Sequence, residues 1–472
     1  MIRASRSLGI VAPADPRERH VGDHRLSVAV ILYFLMIALP FEFNLGSIFM
    51  TGVRTILLVV TVPLSLRLIT GQFGRILITD ILLPVYGIWC IGALFVNSPD
   101  QAVSFGGSHL LEVYGSYLLA RACIRTPGQF RAACNGLFVI LIFSLPFALY
   151  ETQTGVAPLP LMIEKLPGFF SVADFYNADA GRRLGLERSQ VMFAHPIHYG
   201  VFCVSLFSLA FVAMRDRIGS LRRYLLSAAV WVGIIASVSS GAILPLAMQL
   251  GLIGWARVLG DVKRRWIILT AITVAAYVTV DLLSNRTPIV ILLEYVALSP
   301  DTAYGRVIIF EWGMVNIWKH PLLGIGMNDW ERPWWNFSSS MDNFWLLETV
   351  RYGIPGFLML AVAYAALVWG AMRRDLGAGG EAWLYRRAWV FSQLGMIMAL
   401  CTVDVWATML SFTFFLFGMG TWFVHHQPSE EPQTSALPTP AEPPMADAGR
   451  RASPYTRFAG TRERNTMRRP PK

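Results

Sequence analysis

The chain has 472 residues, 54% of them hydrophobic and only 15% charged, with a mean hydropathy of +0.49. So little charge excludes a soluble globular protein of this size, which would need far more to cover its surface. The formal net charge of +10 does not call for nucleic acid, because basic loops beside anionic lipid account for it.

In chain order, a polar, arginine-containing segment (1–25) is followed by about twelve apolar runs of bilayer length. They are expected near Leu26–Phe41, Val53–Leu68, Leu77–Val96, Leu110–Ile124, Ala132–Tyr150, Ile197–Met214, Tyr224–Val238, Ala242–Trp255, Trp266–Leu283, Phe344–Met372, Trp383–Thr402 and Val405–Val424. The first run starts late and lacks a small-residue cleavage site, so it reads as a retained helix. Ser237-Val238-Ser239-Ser240-Gly241 makes a tight polar hairpin between two of these runs, and Asp404 sits where the last two meet. From residue 427 the composition turns to Pro, Ala, Ser, Thr and then Arg, the signature of a disordered basic tail (427–472) that touches lipid headgroups. The expected fold is therefore all-α: a polytopic membrane domain over 26–426 with short amphipathic helices in two long loops, 151–196 and 284–342.

Lysine and arginine counts orient this domain. The connections holding Arg67 and Arg75, Arg121 to Arg131, Arg215 to Arg223, Arg257 to Arg265 and Arg373 to Arg387 alternate regularly with the others. Assigned to the cytoplasm, they put both termini inside and both long loops outside.

Cofactor signals are weak. The five cysteines lie in or beside apolar runs with no CxxC spacing, so neither a disulfide framework nor a zinc site is supported. There is no GxxxxGK[ST], and Gly324-Ile325-Gly326 lacks the strand and third glycine of a dinucleotide fold. No cofactor and no metal are expected. A convincing inverted repeat is also missing, which weakens a secondary transporter.

The two outer loops break the apolar pattern. In the first, Arg182, Arg183 and Arg188 precede His195-Pro196-Ile197-His198 at a helix start. Guanidinium groups bind phosphate bidentately and stay protonated, so pyrophosphate is their natural ligand. Against this, Arg182 and Arg183 have an ordinary alternative in lipid headgroups or Glu187, and the histidines in a purely interfacial role. In the second loop, Arg306 opens an apolar stretch, Val307 to Trp318, too short to span and expected to lie in the interface. Glu311 and Lys319 can pair there. Trp330, Trp334 and Trp335 suit an aromatic belt at headgroup level. Asp342 and Asn343 are good caps for the next helix, while a carboxylate beside several arginines is also a candidate base. Glu348 and Arg351 read most simply as a helix-surface pair.

Taken together, Arg183 to Arg188, Ala194-His195-Pro196-Ile197-His198-Tyr199-Gly200, Ser237 to Ala242, Arg306 with Trp312, Pro321 to Gly326 and Asp342-Asn343-Phe344-Trp345-Leu346 leading to Gly353-Ile354-Pro355-Gly356 follow a known order. It resembles the superfamily of O-antigen ligases and O-antigen or exopolysaccharide polymerases of the bacterial inner membrane. Ligases of this superfamily carry a His-Asn pair where this chain has Asp342-Asn343, and tend to have arginine in the hairpin where it has Ser240. Both departures favour the polymerase branch.

The resemblance implies a metal-independent glycosyltransferase working in the periplasm on undecaprenyl-pyrophosphate-linked glycan. It would polymerise repeat units, with a chain-length regulator and export machinery as possible partners. Arg188 and Arg306 are then the candidates for stabilising the leaving pyrophosphate, with Arg183 and Arg286 as further ligands. Asp342 or His195 is the candidate base, and His198 and Asn343 are candidate substrate contacts. A ligase that transfers the glycan to another acceptor is the alternative within the same class. A flippase of the same lipid is the rival from another class, and it has only Asp80, Glu112, Asp281 and Asp404 to line a path.

Overall fold

The computed structural model of the protein describes residues 25–46, 48–171, 182–183, 185–284, 291, 300–377 and 379–426. The tails before and after these, residues 172–181 of the first loop, and Arg286 lie outside the described residues. What is described is almost wholly helical. Eight helical segments are long and apolar enough to cross a membrane: Gly52–Ile69, Ile78–Asn97, Pro127–Thr154, Pro196–Ala213, Ser240–Val258, Arg265–Leu283, Phe344–Arg373 and Ala407–His425. The other four expected runs are helical too. Ser220–Ser237 and Glu381–Leu400 are unbroken helices, and Ser104–Cys123 contains a π-helical turn at Leu111–Gly115. The first run is cut to Val28–Ala38, because Pro40 disfavours helix in the residue before it.

Beyond Pro40 the chain does something the apolar pattern did not announce. Phe41–Leu45 pairs antiparallel with Ile48–Thr51 and, on its other edge, with Phe170–Ser171. The register puts Glu42 opposite Thr51 and Phe41 opposite Ser171. Thr51 then closes the sheet and caps the next helix, its hydroxyl accepting from the Arg54 amide at 3.0 Å.

Helix ends follow ordinary rules. Pro127 sits at the first position of Pro127–Thr154 behind the Thr126 cap, and Gly155, at φ +70°, stops the helix in the left-handed region. Arg265–Leu283 has no buried residue at all, as a helix apolar on every side and facing lipid should.

Phe344–Arg373 is not one helix but two, broken at Gly353 (φ 76°, ψ 175°) just ahead of Pro355. A break within an apolar environment strands carbonyls, and each must find a donor. Here the amides of Ile325 and Gly326 reach the carbonyls of Val350 and Arg351 at 2.9 and 3.0 Å, and the Trp89 indole reaches that of Tyr352 at 2.9 Å. In return Ile354 donates to the Pro321 carbonyl at 2.8 Å. Pro321–Gly326 and Gly353–Gly356, separate motifs in the sequence, are thus two halves of one joint. A Cβ at Gly353 would lie 2.0 Å from the Leu322 carbonyl oxygen, and one at Gly324 2.4 Å from that of Val350. Only glycine fits either place.

Apart from the main core there is a small second one. Ile309, Ile317, Trp330, Met341, Leu346, Leu347 and Val350 join the Pro300–Lys319 helix to the start of Phe344–Arg373. Pro300–Lys319 is longer than the stretch expected from Val307 to Trp318. Trp330 belongs to this core, its indole donating to the Ser339 carbonyl at 3.0 Å, and is not part of an exposed belt. Trp334 is 87% exposed and Trp335 stacks on Tyr304.

Candidate functional site

The first loop delivers Arg188 on a tightly tied strand of chain. Glu151, at the end of Pro127–Thr154, accepts from the amides of Gln190 and Val191, both at 3.1 Å. Ser189 donates from its amide to the Ala236 carbonyl at 3.0 Å and from its hydroxyl to the Ala148 carbonyl at 2.6 Å. Val191 is held at φ 54°, an uncommon conformation for a β-branched residue. Arg188 is therefore aimed by its neighbours' backbone bonds and is itself buried. Upstream, Arg183 and Leu186 exchange backbone hydrogen bonds at 3.0 Å around Gly185. Arg182 is exposed and pairs with Glu187 at 2.6 Å, its ordinary surface role.

The second loop brings Arg306 and Asp342 to the same place. Arg306 is buried near the start of Pro300–Lys319, with Nη2 3.5 Å from both the Ser240 hydroxyl and the Thr402 carbonyl. Its Nε and Nη1 are buried without a hydrogen-bond partner among the described residues, so two donors are available to a ligand. Asp342 is half-buried, and Asn343 after it caps Phe344–Arg373 by accepting from the Leu346 amide at 3.1 Å.

Mutual electrostatics tie this group together. Burial raises the Asp342 carboxyl above its usual range, against the pull of Arg306, Arg188 and Arg183. Burial pushes the Arg188 guanidinium down to about 10, with Arg183 adding to the effect and Asp342 opposing it. Arg306 is lowered by burial while Asp342 opposes. Three guanidiniums face one carboxylate, so the cluster has positive charge left over for an anion.

His195 lies beside it. Burial, then Arg188 and Arg183, push its imidazole down to about 4, so the ring is neutral at ordinary pH. As the cap of the next helix, its Nδ1 accepts from the Ile197 amide at 3.1 Å. The proton of the neutral ring then sits on Nε2, which is a donor. His198 is turned away: its Nε2 donates to the Asp404 carbonyl at 3.1 Å and its ring meets Trp406 edge-on at 4.0 Å. Of the predicted residues, Arg183, Arg188, His195, Arg306 and Asp342 come together, Asn343 is a helix cap, and His198 holds the 404–406 link.

Two cavities adjoin the cluster. One, about 710 Å³, is almost wholly apolar and runs between Pro300–Lys319, Phe344–Arg373 and Glu381–Leu400. It begins at Asn343 and Thr402, next to Asp342 and the Arg306 contact, and continues past Phe357, Ala361 and Ala365. The other, about 250 Å³, has a mixed polar and apolar lining and reaches from Ala194 and Trp406 to His109, Glu348 and Arg351.

Glu348 does not pair with Arg351. It accepts from the Tyr86 hydroxyl, which also bonds His109 Nε2 at 2.8 Å, while Arg351 lies over the Phe105 ring. Likewise Lys319 pairs with Glu331 and not with Glu311. Cys90, His109 and Glu348 offer ligand-type atoms within 4.8 Å of one another, with the Tyr86 hydroxyl bonded to both His109 and Glu348. Glu151, Thr402 and Trp406 were missed by sequence reasoning. An acid near the C-terminal end of a long apolar helix was the one available signal for Glu151.

Residues 225–361 match the sequence model of a family described as O-antigen ligase. The match contains Arg306, Asp342 and the Gly353 break, whereas Arg183, Arg188 and His195 precede it. It supports the O-antigen ligase and polymerase superfamily, whose members are glycosyltransferase-like enzymes acting on lipid-linked glycans. No curated protein matches the chain.

Proposed function

We propose that the protein polymerises undecaprenyl-pyrophosphate-linked oligosaccharide repeats at the periplasmic face of the bacterial inner membrane. The observation that carries this reading is the arginine cluster at the mouth of an apolar groove. A lipid pyrophosphate has both parts, an anionic head and a long hydrocarbon tail, and the two surfaces lie in that order. Arg188 and Arg306, helped by Arg183, hold the pyrophosphate, and Thr349, Ala361 and their neighbours line the tail's path.

In the reaction, an acceptor hydroxyl oxygen attacks the anomeric carbon of the donor glycan. The bond from that carbon to the phosphate oxygen breaks, and the electron pair leaves with undecaprenyl pyrophosphate. The hydroxyl proton goes to Asp342, whose raised basicity suits a general base. Fixed guanidiniums in a poorly hydrated setting stabilise the charge growing on the leaving group. His195, protonated on Nε2, donates a hydrogen bond and does not take the proton.

The polymerase branch rests on Asp342, the residue that stands in place of the ligase histidine. The flippase reading is weakened because two of its four acids are paired structurally: Asp80 with Arg121 at 3.3 Å and Glu112 with Arg54 at 2.8 Å. Arg188→Ala or Arg306→Ala lowers polymer yield by at least ~100-fold while the protein stays in the membrane. The deciding measurement compares lipid-linked glycan and surface polymer in a strain lacking the chain. Single repeats accumulating on the outer leaflet mean polymerase. Long lipid-linked polymer means ligase, and repeats trapped on the inner leaflet mean flippase.

A further inference from the structure

We propose that the 250 Å³ cavity beside the arginine cluster is the acceptor subsite, holding the terminal sugar of the incoming repeat as an uncharged ring, with Asp404, Glu348 and Arg351 as its hydrogen-bonding walls. The inference rests on the glycosyl-transfer reading above.

Size comes first. The cavity falls just below the ~300–1,000 Å³ of sites for drug-sized ligands, which suits one ring and not a prenyl chain. Its lining argues the same way. Lipid seeks an apolar wall, and this one mixes carboxyl, guanidinium and imidazole groups with the rings of Phe105 and Trp406. Hydroxyls want donors and acceptors in one place, and the apolar face of a sugar ring wants an aromatic surface.

Charge separates this cavity from its neighbour. Within its lining Arg54 is already bound to Glu112 at 2.8 Å, which leaves the Glu348 and Asp404 carboxyls beside Arg351. Pyrophosphate is repelled here and drawn to the arginines. A sugar bearing a carboxylate is disfavoured for the same reason.

Position completes the case. Trp406 lines the cavity while its ring packs on His195 and His198. Trp406 thus touches both the cavity and the two histidines that follow the arginine loop. Asp404 has its carbonyl on His198 and its carboxylate on the Val405 amide at 2.8 Å, so the link is fixed from both sides. The cavity opens at Ala194, the neighbour of His195, so an acceptor ring seated there lies beside the cluster that would hold the leaving group. Glu348, 2% exposed and bonded to Tyr86, is rigid enough to select which hydroxyl enters.

The test separates acceptor from donor. The full-length protein in lipid nanodiscs is given labelled lipid-linked repeat as donor and, as acceptor, the repeat oligosaccharide released from its lipid by mild acid. Asp404→Asn and Arg351→Gln are each expected to raise KM for the soluble acceptor about tenfold, the loss of one charged hydrogen bond, with KM for the donor unchanged. Undecaprenyl pyrophosphate should still protect both variants against thermal unfolding, which reports an intact donor site. If one variant loses that protection, the other carries the test. Unchanged acceptor KM, or equal loss for donor and acceptor, overturns the subsite and leaves the transfer reading intact. No transfer to any acceptor by the wild-type protein overturns the transfer reading itself.

Discussion

At His195 the position of one proton decides between two roles. Its Nδ1 is committed to the helix cap, so a base is sought elsewhere, and Asp342 is the carboxylate within reach of the three arginines. Asp342→Asn should remove activity, whereas His195→Ala should cost ~10–100-fold, one hydrogen bond to a charged group. The pH profile should carry a single acid limb. Because Asp342 titrates above the ordinary carboxylate range, activity falls as the pH drops through its raised value, and His195, neutral down to about 4, adds nothing near neutrality. Asp404 gives a stability prediction of the same kind. Burial pushes it up to about 7, so the folded state binds a proton the unfolded chain has already lost. Its contribution is present below the unfolded value and is lost as pH rises toward 7. Asp404→Asn should therefore raise the melting temperature at pH 8 and not at pH 4, as read by thermal unfolding in detergent. Arg188, Arg306 and Asp342 were legible because charge beside hydrocarbon is costly and calls for a reason. Glu151 and Asp404 were not, because their partners are backbone groups that no spacing rule points to.

Individual helices were legible wherever apolar length alone decided them, and Pro127–Thr154 and Ile78–Asn97 lie close to their expected runs. The sheet was not, since the Phe41-Glu42-Phe43-Asn44-Leu45 alternation is short and directly follows a long apolar run, and its partners Ile48–Thr51 and Phe170–Ser171 carry no such pattern. Glu348 and Arg351 were misread because three residues apart on a helix usually means a surface pair. Instead this turn abuts Ile78–Asn97, and Tyr86 claims the carboxylate first. The break itself yields the clearest element-scale prediction. Gly353→Ala combines a left-handed backbone with a 2.0 Å clash and should cost at least ~2 kcal/mol, measured as a lowered unfolding midpoint.

For the molecule as a whole, a cationic mouth site, an apolar groove and a cavity of mixed lining lie side by side, and the proposed function assigns each to one part of a lipid-linked glycan. Composition predicted the membrane and loop charge pointed to the arginine cluster, but the groove exists only where three helices meet. Ala361→Trp should narrow it. The expected result is about a tenfold rise in KM for an undecaprenyl-linked donor, on the order of one large side chain's packing, with little change for a donor on a short prenyl chain. Equal effects on both donors would separate the groove from the tail.

The joint at Gly353 also sets where one cooperative unit ends and another begins. Residues 344–352 are tied through Ile325 and Gly326 to the second long loop and through Trp89 to Ile78–Asn97, and are cut off at Gly353 from the helix that continues. Opening the loop thus means releasing the top of the helix as well, with Asp342 and the small second core moving as one body. In hydrogen-exchange experiments the amides of Ile325, Gly326 and Ile354 should exchange together, at a rate unlike that of residues 356–370.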